Sequence, residues 1–396
     1  MATTATTTGL VLTGGGARAA YQVGVLKAIA QIRREAGAAD TGNPFPVITG
    51  TSAGAINAAA LACHADDFDA AVAGLCEVWE NFRAEQVYRA DSFGVIRSGA
   101  RWLTMMSIGW AIARWRRARP RSLLDNTPLQ GLLEHLVSPE RLHRMMREGH
   151  LHALAVTASS YGSGLHVTFY DALSDIVPWT RSQRLAVRAG ITVPHLLASS
   201  AIPFVFPAVA LSIDGHTEYC GDGSMRQAAP ISPAVHLGSE RILVVGAGRM
   251  HEPPGERAGS GDYPNLAQIA GHALSNIFLD ALAVDVERLQ RINSTLALLT
   301  PEARAATSLK PIEVLVIAPS QRLDDIAAKH LGELPLPIRT MLRALGVQGQ
   351  GDDARGAALA SYLLFESAYT RELMALGERD TLQRRDDVIG FFRWRA

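Results

Sequence analysis

Two glycine-rich turns, each placed between an apolar strand and a helix, constrain the fold more than any other feature of the sequence. Residues 9–12 form a short apolar run that ends in three glycines, and a helix with apolar residues at helical spacing follows. Residues 47–49 predict a second strand, and a helix of small residues begins just after Ser52. This strand–helix–strand–helix order predicts a parallel sheet with helices on both faces.

The middle of the chain predicts further elements of the same kind. Residues 66–145 indicate mostly helix, and residues 151–157 indicate a strand with a hairpin partner at 165–170. Residues 181–201 are predicted to be helical up to a loop that contains two prolines. A tight strand–turn is expected around Asp222, and residues 241–246 predict an interior strand.

The last third of the chain differs in character. Residues 265–396 predict long helices around one further strand at 312–317. The helical period is clearest at 280–298 and at 354–376.

Composition excludes several classes of function. The 396 residues carry a formal net charge of zero, whereas a general nucleic-acid binder shows a basic excess, so no nucleic-acid partner is expected. The three cysteines fit no zinc pattern and predict reduced thiols in a cytoplasmic protein. The N-terminus has no signal-peptide pattern, and no apolar run reaches the ~20 residues of a membrane-spanning helix. The expectation is a cytoplasmic protein that attaches at most to a membrane surface.

The second glycine-rich turn has the pattern G-x-S-x-G. Gly50 and Gly54 flank Ser52 between the strand and the helix. Such glycines let the backbone pass close to a strained serine, and the following helix N-terminus points its free amides at that serine. The pattern predicts a nucleophilic serine, and the alternative is a plain glycine turn capped by a serine.

The first glycine-rich turn suits an oxyanion hole. Consecutive glycines expose backbone amides that can face a developing negative charge. The candidate donors are Gly14, Gly15, Gly16 and Ala17. Arg18 is expected either to order this loop, to face a phosphate, or to lie on the surface.

A rival interpretation of the same turn is dinucleotide binding. Gly14, Gly16 and Ala19 fit the pattern G-x-G-x-x-G/A, and Glu35 follows at about the right separation. Glu35 is predicted to lie on the helix, however, and not at the end of the second strand where a ribose contact belongs. A P-loop is excluded because no Gly-Lys-Ser/Thr follows the glycines.

Together these motifs resemble the patatin-like phospholipase family. The matching segments are GGGARAAYQVGVL (14–26), GTSAGAIN (50–57), ASSAIPF (198–204) and the Asp222–Gly223 pair. Two positions depart from the family pattern, which usually has glycine at Ala19 and glycine or alanine at Ser224.

The resemblance implies an α/β fold with a mostly parallel central sheet and helices on both faces, a three-layer sandwich. It places a patatin-like phospholipase domain at residues 9–238. Residues 239–396 would then hold the final sheet strands and a mainly helical C-terminal extension.

The resemblance also implies an activity, hydrolysis of phospholipid or other acyl-ester lipids. Ser52 would be the nucleophile and Asp222 the general base, with Gly223 supporting the turn and no metal or cofactor required. Residue chemistry alone leaves a Ser–His–Asp triad open, with its histidine among His64, His195, His216, His236 and His272. It also leaves open acyl transfer through the same acyl-enzyme, or a non-catalytic dinucleotide- or membrane-binding module.

One basic segment suggests how the chain could meet lipid. Residues 97–121 contain seven arginines and no acidic residue. Arginines beside tryptophan and methionine fit an interfacial helix on anionic lipid or a lid over the site, and core packing is the alternative. The residues concerned are Trp102, Met105, Met106, Trp110, Arg116 and Arg117. The sequence does not indicate an oligomeric state.

Overall fold

One mixed sheet organises the molecule. The computed structural model describes residues 7–89, 122–250, 263–276, 281–349, 351 and 356–394. Within these residues, ten strands join the sheet. They are β1 (Thr8–Leu12), β2 (Val47–Thr51), β3 (Ala153–Ser160), β4 (His166–Ala172), β5 (Thr180–Arg181), β6 (Arg184–Arg188), β7 (Val209–Ile213), β8 (His216–Asp222), β9 (Arg241–Val245) and β10 (Glu313–Ile317).

The order of the main path is β10-β9-β1-β2-β3-β4-β6-β5, with the β7–β8 hairpin attached to β3. The five strands from β10 to β3 are mutually parallel, and β4 is antiparallel to β3. The sheet is therefore mostly parallel in its centre, as the alternating strand–helix order predicts.

Helices make up the rest of the regular structure. The described α-helices are α1 (Ala20–Glu35), α2 (Ala53–Ala62), α3 (Phe68–Glu80), α4 (Thr127–Leu136), α5 (Pro139–Arg147), α6 (Val193–Ser199), α7 (Ser232–His236), α8 (Leu266–Ser275), α9 (Ala281–Ala297), α10 (Pro301–Ala305), α11 (Leu323–His330), α12 (Leu336–Ala344), α13 (Ala357–Ser361), α14 (Ser367–Leu382) and α15 (Arg385–Phe392).

The helices cover both faces of the sheet. Leu10 and Leu12 of β1 are buried in the large core that includes α1, α2 and α14. Val11 points to the other face, where it packs in a second core with residues of α7 and α9. This alternation of buried side chains along one strand is what a sheet buried on two sides requires.

Strands β2 and β8 meet head to head along the same edge of β3. Residue Thr51, the last of β2, pairs with Thr157, and Asp222, the last of β8, pairs with the next residue, Ala158. Because β2 is parallel to β3 and β8 is antiparallel to it, the two strands converge from opposite directions. The residue after β2 and the last residue of β8 are therefore brought together.

The prediction of helix over residues 181–201 is wrong in its first half. Residues 180–188 form β5 and β6, joined at Gln183, which has a φ of 59°. The helix α6 begins only at Val193, with a proline in its first turn. The short apolar run Leu185–Val187 pairs with β4, and this strand pairing overrides the local helical period.

The helix predicted over residues 354–376 is interrupted. It is divided into α13 and α14 by a turn at residues 362–366. The carbonyl of Tyr362 accepts a hydrogen bond from the backbone amide of Ala17 at 3.1 Å. It therefore takes no part in the backbone hydrogen bonds of a continuous helix. A contact with a distant loop thus ends the helix where the local sequence would continue it.

The length and apolar character of the described helices bear on whether any of them could cross a membrane. None of them, within the ranges given above, combines the length and the apolar character that crossing a membrane requires.

Candidate active site

Ser52 lies at the sharp turn between β2 and α2. Its φ is 55° and its ψ is −132°, a conformation that a non-glycine residue rarely adopts. Its backbone amide donates to Ser199 Oγ at 2.9 Å, which ties the turn to the end of α6. The side chain is 1% exposed and lies at the N-terminus of α2. The turn has the strained strand-to-helix geometry that the G-x-S-x-G pattern predicts.

The two glycines that flank Ser52 are required by close backbone contacts. A Cβ atom on Gly50 would lie 2.5 Å from the carbonyl oxygen of Gly54. A Cβ on Gly54 would lie 2.4 Å from the carbonyl oxygens of Leu12 and Thr13. The second contact brings the start of α2 against the end of β1, which places Ser52 beside the first glycine-rich loop.

The side chains of Ser52 and Asp222 are in direct contact. The Ser52 hydroxyl donates to Asp222 Oδ2 at 2.6 Å, although the two residues are 170 positions apart. The backbone amide of Ser224 donates to Asp222 Oδ1 at 2.9 Å and fixes the carboxylate from its other side. Gly223 allows this turn to form, since a Cβ there would lie 2.3 Å from the Thr157 carbonyl oxygen.

Burial controls the charge state of Asp222. The side chain is completely shielded from solvent, which disfavours the carboxylate and raises its pKa from 3.8 to about 6. The hydrogen bonds from Ser52 and Ser224 act in the opposite direction and stabilise the charged form. The result is a carboxyl group that is ionised near neutral pH and basic enough to accept a proton.

The first glycine-rich loop leaves amides free beside Ser52. None of the described residues accepts a hydrogen bond from the amides of Gly14, Gly15 or Gly16. Gly16 also lines the same pocket as Ser52. The expectation that Ala17 contributes a donor is corrected, because its amide already donates to the carbonyl of Tyr362.

Arg18 anchors the glycine-rich loop through buried contacts with the C-terminal part of the chain. The side chain is 2% exposed, and its Nε donates to Ser361 Oγ at 2.8 Å. The guanidinium also pairs with Asp324 and lies 4.0 Å from the centre of the Tyr362 ring. Of the three roles considered for Arg18, the structure supports the ordering of the loop, since the side chain neither lies on the surface nor faces a phosphate site.

A narrow apolar pocket opens beside Ser52. Its polar side chains are Ser52, Asn57 and Ser200, and the rest of its described lining is apolar. Apolar walls come from α2, α3 and α4, from the loop after α6, and from Phe365 beyond α13. The apolar lining is of the kind that favours an apolar ligand group.

The triad and dinucleotide interpretations find no matching geometry. Within the described part of the chain, no histidine contacts the Ser52 hydroxyl, whose recorded partner is Asp222. His195 instead caps its own helix at Thr192, and His236 stacks on Trp179. Glu35 is the last residue of α1, as predicted, and therefore does not lie at the end of the second strand.

Some contacts of the site follow from no local sequence pattern. Ser199 lies in the recognised segment 198–204, but its contact with the Ser52 amide depends on how α6 folds back. Tyr362 and Phe365 belong to a distant segment with no motif, so their contacts at the site could not be anticipated. The candidate membrane and lid residues between 97 and 121 lie outside the described residues.

A family model described as patatin-like phospholipase matches residues 10–235. No curated protein matches the sequence. Thirteen chains of solved structures match, among them the following two.

The first of these structures is VipD from Legionella pneumophila. It is 13% identical, with a TM-score of 0.30, and the match covers 96% of this chain and 67% of VipD. The second is human GIVD cytosolic phospholipase A2 in complex with methyl gamma-linolenyl fluorophosphonate. It is 12% identical, with a TM-score of 0.40, and the match covers 98% of this chain and 59% of the human one.

Proposed function

Because this chain belongs to the patatin-like phospholipase family, we propose that it is a serine hydrolase that cleaves acyl esters of phospholipids or related lipids. The observation that carries the proposal is the 2.6 Å contact between the Ser52 hydroxyl and the Asp222 carboxylate. Ser52 borders an apolar pocket, where the acyl chain of a lipid would lie.

In the first half of the proposed reaction, Ser52 Oγ attacks the ester carbonyl carbon. Its proton passes to Asp222 Oδ2, with which it already shares a hydrogen bond. The new C–O bond converts the carbonyl into a tetrahedral oxyanion. Collapse of this intermediate breaks the ester bond, and the leaving alcohol takes the proton from Asp222.

The glycine-rich loop would stabilise the oxyanion. The amides of Gly14, Gly15 and Gly16 have no acceptor among the described residues, and Gly16 borders the pocket beside Ser52. Fixed donors in a site that excludes water favour developing negative charge strongly, by roughly 3–4 kcal/mol for a single donor. The N-terminus of α2 adds its positive end at the same place.

In the second half, water would hydrolyse the acyl-enzyme. Asp222 takes a proton from the water as its oxygen attacks the acyl carbon, and Ser52 recovers the proton as the leaving group. No metal or cofactor is required. The same carboxylate therefore acts as base in both halves of the reaction, which suits a pKa close to neutrality.

We assign the catalytic part to residues 9–238 and treat 239–396 as the final sheet strands and the C-terminal extension. Phospholipid is the proposed partner, reached by peripheral contact with an anionic membrane surface in the cytoplasm. The basic segment at 97–121, with Trp102 and Trp110, is proposed for that contact.

A fluorophosphonate probe tests the proposed nucleophile. The probe bonds covalently to activated serines, so the wild type should be labelled and Ser52→Ala should not. Hydrolysis of a p-nitrophenyl ester should fall at least about 10³-fold in Ser52→Ala, because the nucleophile is removed. Asp222→Ala should lose both signals as well, since the serine is no longer activated.

Ser239→Ala is the matched control. Ser239 is buried to a similar degree, at 2% exposed, and its hydroxyl has no hydrogen-bond partner among the described residues. It should be labelled like the wild type. A folded wild type that takes no label, or a labelled Ser52→Ala, would contradict the proposal.

A further inference from the structure

The apolar pocket receives one wall from outside the region that the family model matches. Phe365 lines the pocket together with Ser52, yet it lies 130 residues beyond the end of the match at 235. Its side chain is 6% exposed. The C-terminal part of the chain therefore reaches into the space where the proposed acyl group would bind.

Phe365 forms part of an aromatic cluster. Its ring centre lies 5.6 Å from that of Phe82, 6.3 Å from that of Tyr88 and 6.5 Å from that of Trp79. Trp79 and Phe82 are themselves stacked at 4.8 Å and also line the pocket. Three large, rigid rings of the cluster, those of Phe365, Trp79 and Phe82, therefore line one part of the pocket.

The backbone around Phe365 is held at two points. The carbonyl of Tyr362 accepts from the amide of Ala17 at 3.1 Å, and the carbonyl of Leu363 accepts from the Tyr88 hydroxyl at 2.8 Å. A Cβ on Gly16 would lie 2.4 Å from the Tyr362 carbonyl oxygen, so the segment is pressed directly against the glycine-rich loop. The ring of Phe365 is therefore placed by fixed contacts.

One ring of the aromatic cluster can be located relative to Ser52 along α2. The Trp79 indole donates to Asn57 Oδ1 at 2.9 Å, and Asn57 is five residues beyond Ser52 on α2. At 1.5 Å per residue, this separation is about 7.5 Å along the helix. An acyl chain attached to Ser52 that runs along α2 would reach the Trp79 indole, which packs beside Phe365, only after several methylene groups.

We propose that Phe365 is a specificity-determining residue, whose ring limits the length of the acyl chain that the pocket accepts. This inference rests on the proposed hydrolase function. It assigns the C-terminal extension a part in substrate selection. A smaller side chain at this position should open room for additional methylene groups, and a larger one should remove it.

Chain-length profiles of p-nitrophenyl esters, from acetate to palmitate, test the proposal. The variants are Phe365→Leu and Phe365→Trp, which keep the position apolar. In Phe365→Leu, the optimum should move to longer chains, and kcat/KM for the first ester beyond the wild-type optimum should rise about tenfold relative to acetate. Phe365→Trp should move the optimum to shorter chains.

Phe391→Leu is the matched control, since Phe391 is 4% exposed but does not line the pocket. Its profile should match that of the wild type. A residue that serves packing alone would not give opposite shifts for Leu and Trp. Unchanged profiles in both variants overturn the inference while leaving the hydrolase proposal intact. A wild type that hydrolyses no ester and takes no fluorophosphonate label instead refutes the hydrolase proposal itself.

Discussion

At the residue scale, the site depends on one carboxyl group kept out of water. Asp222 receives hydrogen bonds from Ser52 and from the Ser224 amide, yet burial still raises its pKa to about 6. An ordinary surface aspartate would be too weak a base for a serine hydroxyl. The environment of Asp222 thus supplies some of the basicity that a histidine supplies in a triad.

The raised pKa of Asp222 predicts the pH dependence of the proposed activity. Asp222 must be deprotonated to accept the Ser52 proton, so kcat/KM should be constant well above pH 6. Below the pKa of about 6, it should fall about tenfold per pH unit. An uncharged ester substrate measured between pH 4 and 9 gives the profile. A midpoint near 4 would show that burial does not control this group.

Because the Asp222 carboxylate is buried, its ionisation should lower the free energy of unfolding at neutral and higher pH. The pKa of Asp222 rises on folding, so its contribution to stability is greatest below pH 3.8 and is lost as the pH rises through about 6. At pH 8, this rise from 3.8 corresponds to about 3 kcal/mol at most, at 1.36 kcal/mol per pH unit. Asp222→Asn remains uncharged and should unfold with a free energy about 1–3 kcal/mol above that of the wild type at pH 8.

Urea denaturation at several pH values measures this difference, which should shrink towards pH 4. Asp175→Asn is the control, because the side chain of Asp175 is 99% exposed and its pair with Arg188 should matter little. Its stability difference should not vary much with pH. A pH-independent difference for Asp222→Asn would contradict the interpretation.

Single residues were predictable where a local pattern carries the chemistry. Ser52 and its flanking glycines follow from the turn they occupy, and Asp222 was assigned by resemblance. Ala17 was misassigned as a donor because its amide is taken by Tyr362, 345 residues later. A hydrogen-bond partner so far away in the sequence cannot be predicted from the residues around Ala17.

At the scale of elements, α1 and α14 pack closely through two glycines. A Cβ on Gly24 would lie 1.9 Å from the Met374 carbonyl oxygen, and one on Gly377 would lie 2.2 Å from the Tyr21 carbonyl oxygen. The two helices therefore cross with their backbones almost in contact. The helix that follows the glycine-rich loop is held by a helix from the end of the chain.

Gly377→Ala should loosen this crossing. The added methyl group has no room, so the free energy of unfolding should fall by about 1–3 kcal/mol. Gly74→Ala is the matched control, because Gly74 lies within α3 with no atom within 4 Å of its added Cβ. That change should raise stability by about 0.5–1 kcal/mol. Equal effects of the two changes in urea denaturation would show that the close crossing is not a constraint.

Helices and strands were predictable where their own apolar residues follow a regular helical or strand spacing. The strands β1, β2, β3, β9 and β10 and the helices α1 and α9 lie close to their predicted positions. The segment at 181–188 became strand because it pairs with β4, and the helix at 354–376 was broken by the contact of Tyr362 with Ala17. Both errors have the same cause, a tertiary contact that overrides a local preference.

At the scale of the whole molecule, the C-terminal part is built into the sheet and the site. Strand β9 lies between β1 and β10, and the guanidinium of Arg18 contacts Asp324 and Ser361. The boundary at residue 238 therefore marks where the resemblance to the family ends. It does not separate two sheets, because the strands before and after it belong to one sheet. The sequence indicated the helices and strand of this region, but where they dock depends on partners hundreds of residues away.

Because β2 and β8 meet head to head, the site joins two residues that are synthesised at different times. Ser52 leaves the ribosome 170 residues before Asp222, a delay of about 10–30 s at 5–20 residues per second. Phe365 and the carbonyl of Tyr362 that holds the glycine-rich loop follow later still. A nascent chain thus carries an unpaired serine while these 170 residues are made, and the proposed activity towards lipid begins only after Phe365 has been added.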